Sequence, residues 1–257
     1  MAQAWRPKAW YWVGTLCLSN LVPTKTLAQI VPDSTLGTEG SQPVPATVRG
    51  LPAALIQGGA LRGNHLFHSF SQFNVAEGQR VYFANPAMVQ TILSRVTGAD
   101  PSRILGTLGV DGGANLFLIN PNGILFGANA RLDIAGSFTA STASSLQFAN
   151  GSEFSATNPQ APPLLTVNLT PGLQLGNSRP EATIVNRGQL EVGGDLTLVG
   201  DRLDLQGSLQ AGGNLTLQAQ DTVTIRDTAT TPFLARSGGD LIIQGSNGID
   251  ILALVNG

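Results

Sequence analysis

Residues 193–219 read GGDLTLVGDRLDLQGSLQAGGNLTLQA, and this stretch decides the fold. The Gly-Gly-Asp-Leu that opens it at Gly193 returns as Gly-Gly-Asn-Leu at Gly212 and as Gly-Gly-Asp-Leu at Gly238. After each glycine pair, apolar residues alternate with polar ones, a pattern typical of half-buried β-strands. The stretch therefore predicts short strands that each present one apolar side and recur at a nearly regular interval.

The interval between the repeats indicates a solenoid. The starts lie 19 and 26 residues apart (212 − 193 and 238 − 212), and a unit of that size cannot bury its own apolar side. The frame of a leucine-rich repeat is missing, and a propeller blade would need about 40 residues. We therefore expect an all-β fold, a single-stranded parallel β-helix whose turns stack about 4.8 Å apart.

Other stretches extend this prediction toward the N-terminus. The GGAL at 58–61 resembles a repeat start and predicts that the pattern begins soon after residue 28. At roughly 20–25 residues per turn, the 229 residues that remain after residue 28 (257 − 28) predict about ten turns. Helix signals are weak, because the best candidate, residues 87–95, contains the β-branched Val89, Thr91 and Ile92.

Composition changes sharply near residue 28. All three Trp, the single Cys, both Lys and Arg6 precede residue 29. Removing these three basic residues leaves 11 Arg (14 − 3) against 16 acids. That acidic balance excludes a basic nucleic-acid binder, and a Cys-free remainder excludes a disulfide scaffold or a Cys-ligated zinc site. With 42 % hydrophobic and 12 % charged residues, the chain also lacks the composition of a disordered protein.

The first 28 residues predict a secretory signal peptide. Two basic residues precede an apolar stretch of about a dozen residues at 10–22, which is shorter than the ~20 that a spanning helix needs. Thr26 and Ala28 place small residues at positions −3 and −1 of a cleavage between Ala28 and Gln29. We therefore expect a soluble, exported chain with no stable membrane span.

A second informative stretch, NLFLINPNGILFGANARLDIAGSF, occupies residues 115–138. Its Asn-Pro-Asn-Gly segment at 120–123 is a turn by composition, because proline presets φ at the first corner and Asn-Gly tolerates positive φ. The turn joins two apolar strands at 116–119 and 124–126. Taken alone, this segment indicates no more than a turn.

The surrounding residues are more specific. Together they resemble the haemagglutination-activity, or two-partner-secretion, domain of filamentous-haemagglutinin-like exoproteins. The resemblance rests on four stretches: NPNGI at 120–124, HSFSQFNV at 68–75, VYFANP at 81–86 and ILSRVTGADPSRILGTL at 92–108. It covers residues 30–148, and the looser repeats that follow resemble the continuing β-helix of that domain.

The resemblance implies a domain organisation and a fold. It divides the chain into a signal peptide (1–28) and a secretion domain (29–257). Within the second part lie a core motif region (28–150) and continuing β-helix repeats (151–257). The fold that it implies is a right-handed parallel β-helix of the pectate-lyase-like superfold, with N-terminal cap strands.

The resemblance also implies a function and a localisation. Such a domain crosses the inner membrane behind its signal peptide. In the periplasm it is recognised by the POTRA domains of a TpsB-type outer-membrane β-barrel transporter. It then folds outside the cell, and each completed turn is a template for the next. The chain is accordingly expected to be secreted or held at the cell surface.

Two family motifs supply candidate site residues, which either stabilise turns or contact the transporter. The first motif corresponds to Asn120, Pro121, Asn122, Gly123 and Ile124. The second, Asn-Pro-Asn-Leu, has no literal copy, and its nearest element is Asn85-Pro86.

Other classes of function fit less well. A stand-alone surface adhesin or structural β-helix, with a cell-surface or glycan target, stays open as the alternative. A β-helical polysaccharide lyase or hydrolase would need clustered Asp carboxylates, or Asp with Lys or Arg, on one outer face. The chain after residue 28 has no Lys and no dense acid cluster, so we expect no enzyme and no cofactor. His65 and His68 lie three apart and would face opposite sides of a strand, so we expect no metal site. The repeats also lack the spaced Gly and Asp of calcium-binding nonapeptides.

The C-terminal repeats carry no visible polar capping unit before Gly257. An uncapped solenoid exposes apolar core and unpaired strand edges. The sequence therefore predicts a truncated product or a fragment of a larger exoprotein, which self-associates through its C-terminal end.

Overall fold

A computed structural model describes residue 1 and residues 29–148, 151–160, 171–174, 181–228 and 232–254. The predicted signal peptide, including Ala28, lies outside this range apart from Met1, and Gln29 is the first residue of the first strand. No helix in the described ranges is long and apolar enough to cross a membrane.

The described chain is almost entirely β, with one short 3-10 turn at Gly37–Glu39. Strands are numbered in chain order. Sheet 1 contains, in spatial order, β1 (Gln29–Pro32), β5 (His65–Asn74), β7 (Thr91–Val96), β10 (Asn115–Ile119), β13 (Phe138–Ser141), β19 (Leu196–Gly200), β22 (Leu215–Ala219) and β25 (Leu241–Gly245), and β4 (Ala60–Arg62) pairs with β5.

Three further sheets complete the structure. Sheet 2 contains β2 (Ser41–Val48), β3 (Leu51–Gly58), β6 (Arg80–Ala84), β9 (Thr107–Asp111), β12 (Arg131–Asp133), β18 (Gln189–Val192), β21 (Ser208–Ala211) and β24 (Leu234–Ser237). Sheet 3 contains β8 (Ser102–Ile104), β11 (Ile124–Phe126), β17 (Thr183–Asn186), β20 (Arg202–Leu205), β23 (Thr222–Arg226) and β26 (Gly248–Leu252). A small flank sheet contains β15 (Glu153–Ser155), β14 (Ser145–Phe148) and β16 (Pro171–Gln174).

The chain coils through sheets 1, 3 and 2 in turn, so that each sheet stacks strands from successive turns in parallel. Leu196, Leu215 and Leu241, for example, are paired in register in sheet 1. This is the parallel β-helix that the repeats predict. Its right-handed sense stays a prediction, supported by the general handedness of parallel crossovers.

The interior of the coil is the hydrophobic core. The alternation after each glycine pair turns Leu196 and Leu198 inward, and Leu215 and Leu217 stack on them, all with no exposed surface. Burial of a leucine side chain contributes roughly 1.5–3 kcal/mol before entropy is subtracted. The prediction that one side of each repeat strand is buried is therefore confirmed for the repeats that begin at Gly193 and Gly212, whereas Leu241 of the repeat at Gly238 is exposed.

Residues 87–95 form no helix, in keeping with their weak helix signals: the chain reaches strand β7 at Thr91, where Thr91 and Ile92 stack in sheet 1. Two expectations from the sequence are wrong. The GGAL at 58–61 does not start a turn of the coil, because both of its glycines have positive φ (71° and 92°) and reverse the chain into the antiparallel β4. Leu61 is consequently exposed.

Within the described residues, the number of turns is also lower than the predicted ten. Sheet 1 stacks seven parallel strands in the described residues, namely β5, β7, β10, β13, β19, β22 and β25. The difference arises because residues 29–64 build a cap instead of turns, and because the chain between β13 and β17 leaves the coil to form the flank sheet.

The predicted N-terminal cap strands are present. Strand β1 pairs antiparallel with β5, strands β2 and β3 form an antiparallel hairpin, and β4 pairs antiparallel with β5. Beneath them the first turns are filled by aromatic rings: Phe70 and Phe73 lie 5.1 Å apart, and Phe83 stacks on Phe73 at 5.8 Å.

The flank sheet covers the outer face of sheet 1. Its Leu146 and Phe154 pack on Phe67, Leu93 and Ile119, which point away from the interior of the coil. The rings of Phe67 and Phe154 are 5.0 Å apart in an edge-to-face arrangement, a geometry that aromatic pairs prefer. A second, smaller hydrophobic cluster thus packs the flank sheet against the coil.

A buried arginine joins the flank sheet to the cap. Arg95 has no exposed surface, and its guanidinium lies 4.1 Å from the centre of the Phe154 ring. It donates hydrogen bonds to Ser155 O (2.8 Å) in the flank sheet, to Ser69 Oγ (2.9 Å) in β5 and to Thr35 Oγ1 (2.9 Å) in the cap. Burial lowers the pKa of Arg95 to about 10, partly offset by the Asp33 carboxylate, so it stays cationic at neutral pH.

Candidate functional site

The Asn-Pro-Asn-Gly segment is a tight corner between sheets 1 and 3. It connects β10 to β11 and is closed by a hydrogen bond from Gly123 N to Asn120 O of 3.0 Å. Gly123 has a φ of +112°, and a Cβ there would lie 3.0 Å from Thr183 O of the next turn. The glycine is therefore required both by the backbone conformation and by close stacking.

Asn120 is completely buried and connects three segments of the coil. Its Nδ2 donates to Asp100 O and to Ser102 Oγ of the preceding turn, both at 3.0 Å. Its backbone N donates to Ser141 O of the following turn at 2.9 Å, and its Oδ1 accepts from Asn122 N at 2.9 Å. Since the amide is hidden and fully engaged, a partner of the folded domain cannot contact it.

Asn122 lies at the surface side of the corner. Its Nδ2 donates to Gly98 O at 2.7 Å, while its buried Oδ1 has no hydrogen-bond partner among the described residues. A small cleft of about 150 Å³ opens beside it, between Pro121 and the segment that contains Thr157 and Pro159. Of the motif, this is the part that stays nearest to solvent.

The other motif residues have structural positions. Ile124 begins β11, points into the core and is 1 % exposed. Asn85 follows β6 at a different corner, where its Nδ2 donates to Val89 O and its Oδ1 accepts from Ala114 N, both at 2.9 Å. Pro86 belongs to the same corner. The structure therefore does not bring Asn85-Pro86 together with the corner at 120–123.

The two histidines of β5 point to opposite sides, as the spacing predicts. His68 faces the core beside Phe70 and Phe83, and its Nδ1 lies 2.9 Å from Ser41 Oγ. Burial lowers the pKa of His68 to about 3, so it is neutral at physiological pH. Within the ranges that the structure describes, no group of three His, Cys, Asp or Glu residues could hold a metal ion.

Sequence reasoning missed the partners of Asn120. Ser102 and Ser141 lie 18 and 21 residues from it (120 − 102 and 141 − 120), about one turn away on either side. The only signal that could have found them is the turn length itself, because polar residues one period before and after a buried asparagine are its neighbours in a solenoid.

Known proteins resemble this chain in sequence and structure. The family model of the TPS secretion domain matches residues 28–249. The chain is similar to the heme/hemopexin-binding protein of Haemophilus influenzae, with 25 % identity over 180 residues that cover 67 % of this chain and 18 % of that protein. It thus spans less than a fifth of that relative's length. A crystal structure of a filamentous hemagglutinin secretion domain matches with 17 % identity and a TM-score of 0.42, covering 87 % of this chain and 99 % of that one.

Proposed function

This chain belongs to the family of TPS secretion domains, and from that membership we propose that it is recognised as an unfolded chain by the POTRA domains of a TpsB-type transporter. It is the secretion domain of a two-partner-secretion exoprotein, a class that leaves the cell through the outer membrane. In this proposal the signal peptide is removed between Ala28 and Gln29 before the chain reaches the transporter. The chain then folds into its β-helix at the cell surface.

The match of the family model to residues 28–249 is the observation that carries recognition by the transporter. The burial of Asn120 bears on a second point, the role of the motif. All of its polar atoms are engaged by its own corner and the adjacent turns, and it has no exposed surface. A transporter that read this amide would have to do so before the turns stack. We propose that in the folded domain the asparagine stabilises the corner, and that the transporter does not read it directly.

A binding assay with a matched control tests this proposal. The full chain, unfolded in urea and diluted into buffer, is added to immobilised POTRA domains, in parallel with chain that has been allowed to fold. Unfolded chain should bind at least about tenfold more tightly than folded chain, a difference of about 1.4 kcal/mol. If no unfolded chain binds, or if folded chain binds equally well, recognition of an unfolded chain is wrong.

Asn186 provides the matched control for the role of Asn120. It is also completely buried at the end of a strand, where its Nδ2 donates to Gln206 O at 2.7 Å and its Oδ1 accepts from Gly188 N at 3.1 Å. Asn120→Ala and Asn186→Ala should both destabilise the folded chain while the unfolded chains bind POTRA domains like the wild type. Loss of binding by Asn120→Ala alone would show instead that the transporter reads the motif. A glycan or cell-surface target stays a prediction without a described site.

A further inference from the structure

A single file of side-chain oxygens runs along the corners that lead into sheet 1. Each oxygen accepts a hydrogen bond from a backbone N–H of the following turn. The bonds run from Ala114 N to Asn85 Oδ1 (2.9 Å), Ser137 N to Asn115 Oδ1 (2.8 Å), Asp195 N to Ser137 Oγ (2.9 Å), Asn214 N to Asp195 Oδ1 (2.7 Å) and Asp240 N to Asn214 Oδ1 (2.8 Å). We call this file the acceptor ladder.

The ladder explains why glycine precedes Asp195, Asn214 and Asp240. A Cβ on Gly213 would lie 2.2 Å from Asp195 Oδ1, and a Cβ on Gly239 would lie 2.4 Å from Asn214 Oδ1. Real side chains do not approach so closely, so these glycines leave room for the oxygen of the turn before. In the Gly-Gly-Asp/Asn repeat, the second glycine thus leaves space for the side-chain oxygen of the preceding turn. The polar residue accepts a hydrogen bond from the following turn.

The apolar repeats do not define this stacking by themselves. Leu215 and Leu217 both point inward, and in the next turn Leu241 and Ile243 are their partners in register, with Ile243 packed against the same core. A slip of one residue would turn the apolar side outward, but a slip of two residues would still place Leu215 on Ile243. The acceptor ladder distinguishes the two registers, because only the observed one places each side-chain oxygen opposite the backbone N–H of a residue that follows a glycine.

We propose that Asn115, Ser137, Asp195 and Asn214 are positioning residues that set the register in which each turn docks on the turn before it. The ladder has a direction: the acceptor always belongs to the earlier turn and the donor to the later one. A completed turn therefore presents an acceptor to chain that arrives after it. The link to export rests on the proposed function, whereas the register itself is a property of the chain alone.

A disulfide trap reports the register directly. In a Cys17→Ser background, Thr216→Cys is combined with Ile242→Cys, its observed partner across sheet 1, or with Gln244→Cys, its partner after a slip of two residues. Adjacent in-register residues fit the Cα separation of a disulfide, about 4.4–6.8 Å. The refolded full chain should form the in-register bond. Asn214→Ala should raise the slipped product about fivefold to tenfold, the equivalent of one lost hydrogen bond.

Hydrogen exchange supplies a second readout that mere destabilisation would not produce. Asn214→Ala should speed exchange at Asp240 and along β25 about fivefold to tenfold while rates in β19 hold. Asn214→Asp keeps the acceptor oxygen and should restore the wild-type exchange rates at Asp240 and along β25. Asp240→Ala, the same position of the motif in the last described repeat, should leave β22 and β19 unchanged.

Equal loss of protection in β19 and β25, failure of Asn214→Asp to restore it, or no slipped disulfide in Asn214→Ala would each overturn the proposal. No transporter is present in these measurements. Their outcome is therefore independent of whether POTRA domains bind the chain.

Discussion

The first and the last described turns of the coil differ in what covers their apolar side chains. At the N-terminal end, antiparallel strands β1–β4 cover the interior, so that Phe70, Phe73 and Phe83 are at most 1 % exposed. In the last described turn, Leu241 and Ile251 are 47 % and 59 % exposed. They nevertheless lie in register above Leu215 and Ile225, which are 0 % and 4 % exposed.

This difference teaches that the coil begins and continues by different means. Continuation is repetitive, because leucine, glycine and one polar acceptor per turn suffice to stack a strand on the strand before. The beginning has no earlier turn to stack on, so it uses features that the described repeats from Gly193 onward lack: a cap, a cluster of packed aromatic rings and the buried Arg95. We expect the N-terminal end to unfold as one cooperative unit. We expect the last described turn to take part in self-association through its exposed apolar side chains.

The largest effect should follow from removing the buried cation of the N-terminal end. Arg95→Met keeps much of the side-chain volume but removes the hydrogen bonds that Arg95 donates to Thr35, to Ser69 and to the carbonyls of Ser155 and Gln160. Breaking a buried charged network costs about 3–5 kcal/mol. Urea unfolding of the purified chain should show a loss of that size, with the cap and the flank sheet losing amide protection together.

Arg131→Met is the control, because Arg131 is exposed and bonds only Gln189 among the described residues. Surface changes of this kind stay within about 0.5 kcal/mol. If Arg95→Met costs no more than the control, or if the cap keeps its protection while the flank sheet loses it, the arginine does not join the two.

A smaller effect should come from acid, again at the N-terminal end. His68 has an ordinary pKa of 6.5 when unfolded and about 3 when buried. Below pH 6.5 the unfolded chain therefore binds a proton that the folded chain does not, and stability falls by about 1.4 kcal/mol per pH unit. Between pH 6.5 and 5, where exposed carboxylates stay ionised, the free energy of unfolding should drop by about 2 kcal/mol.

The residues around His68 add no charge to this prediction. The groups that the structure places against it are Ser41 of β2, Phe70 of its own strand, Phe83 of β6 and, in register in β7, Ser94. His68→Gln should flatten the pH dependence of urea unfolding. A slope that survives His68→Gln would assign the acid sensitivity to other groups.

The same contrast marks what could be predicted from the sequence. The repeats at Gly193, Gly212 and Gly238 predict their own strands, because alternation and glycine are local signals. The corner at 120–123 is predictable for the same reason. The cap reversal at 58–59 and the bonds of Arg95 are not, since Arg95 reaches residues 60 positions away on either side. A polar residue in an alternating strand looks like any outward-facing residue until the flank sheet that buries it is known.

The smallest effect on stability should occur at the last described turn, where the readout is association. Ile251→Lys places a charge on an exposed strand of sheet 3, and lysine is a common guard of strand edges. The free energy of unfolding should change by no more than about 0.5 kcal/mol, while sedimentation should show less self-association than the wild type. Gln210→Lys adds the same charge to an exposed position of β21, away from the last turn, and should leave self-association unchanged. If both variants reduce association equally, net charge governs it, and the exposed apolar side chains of β25 and β26 are not the adhesive surface.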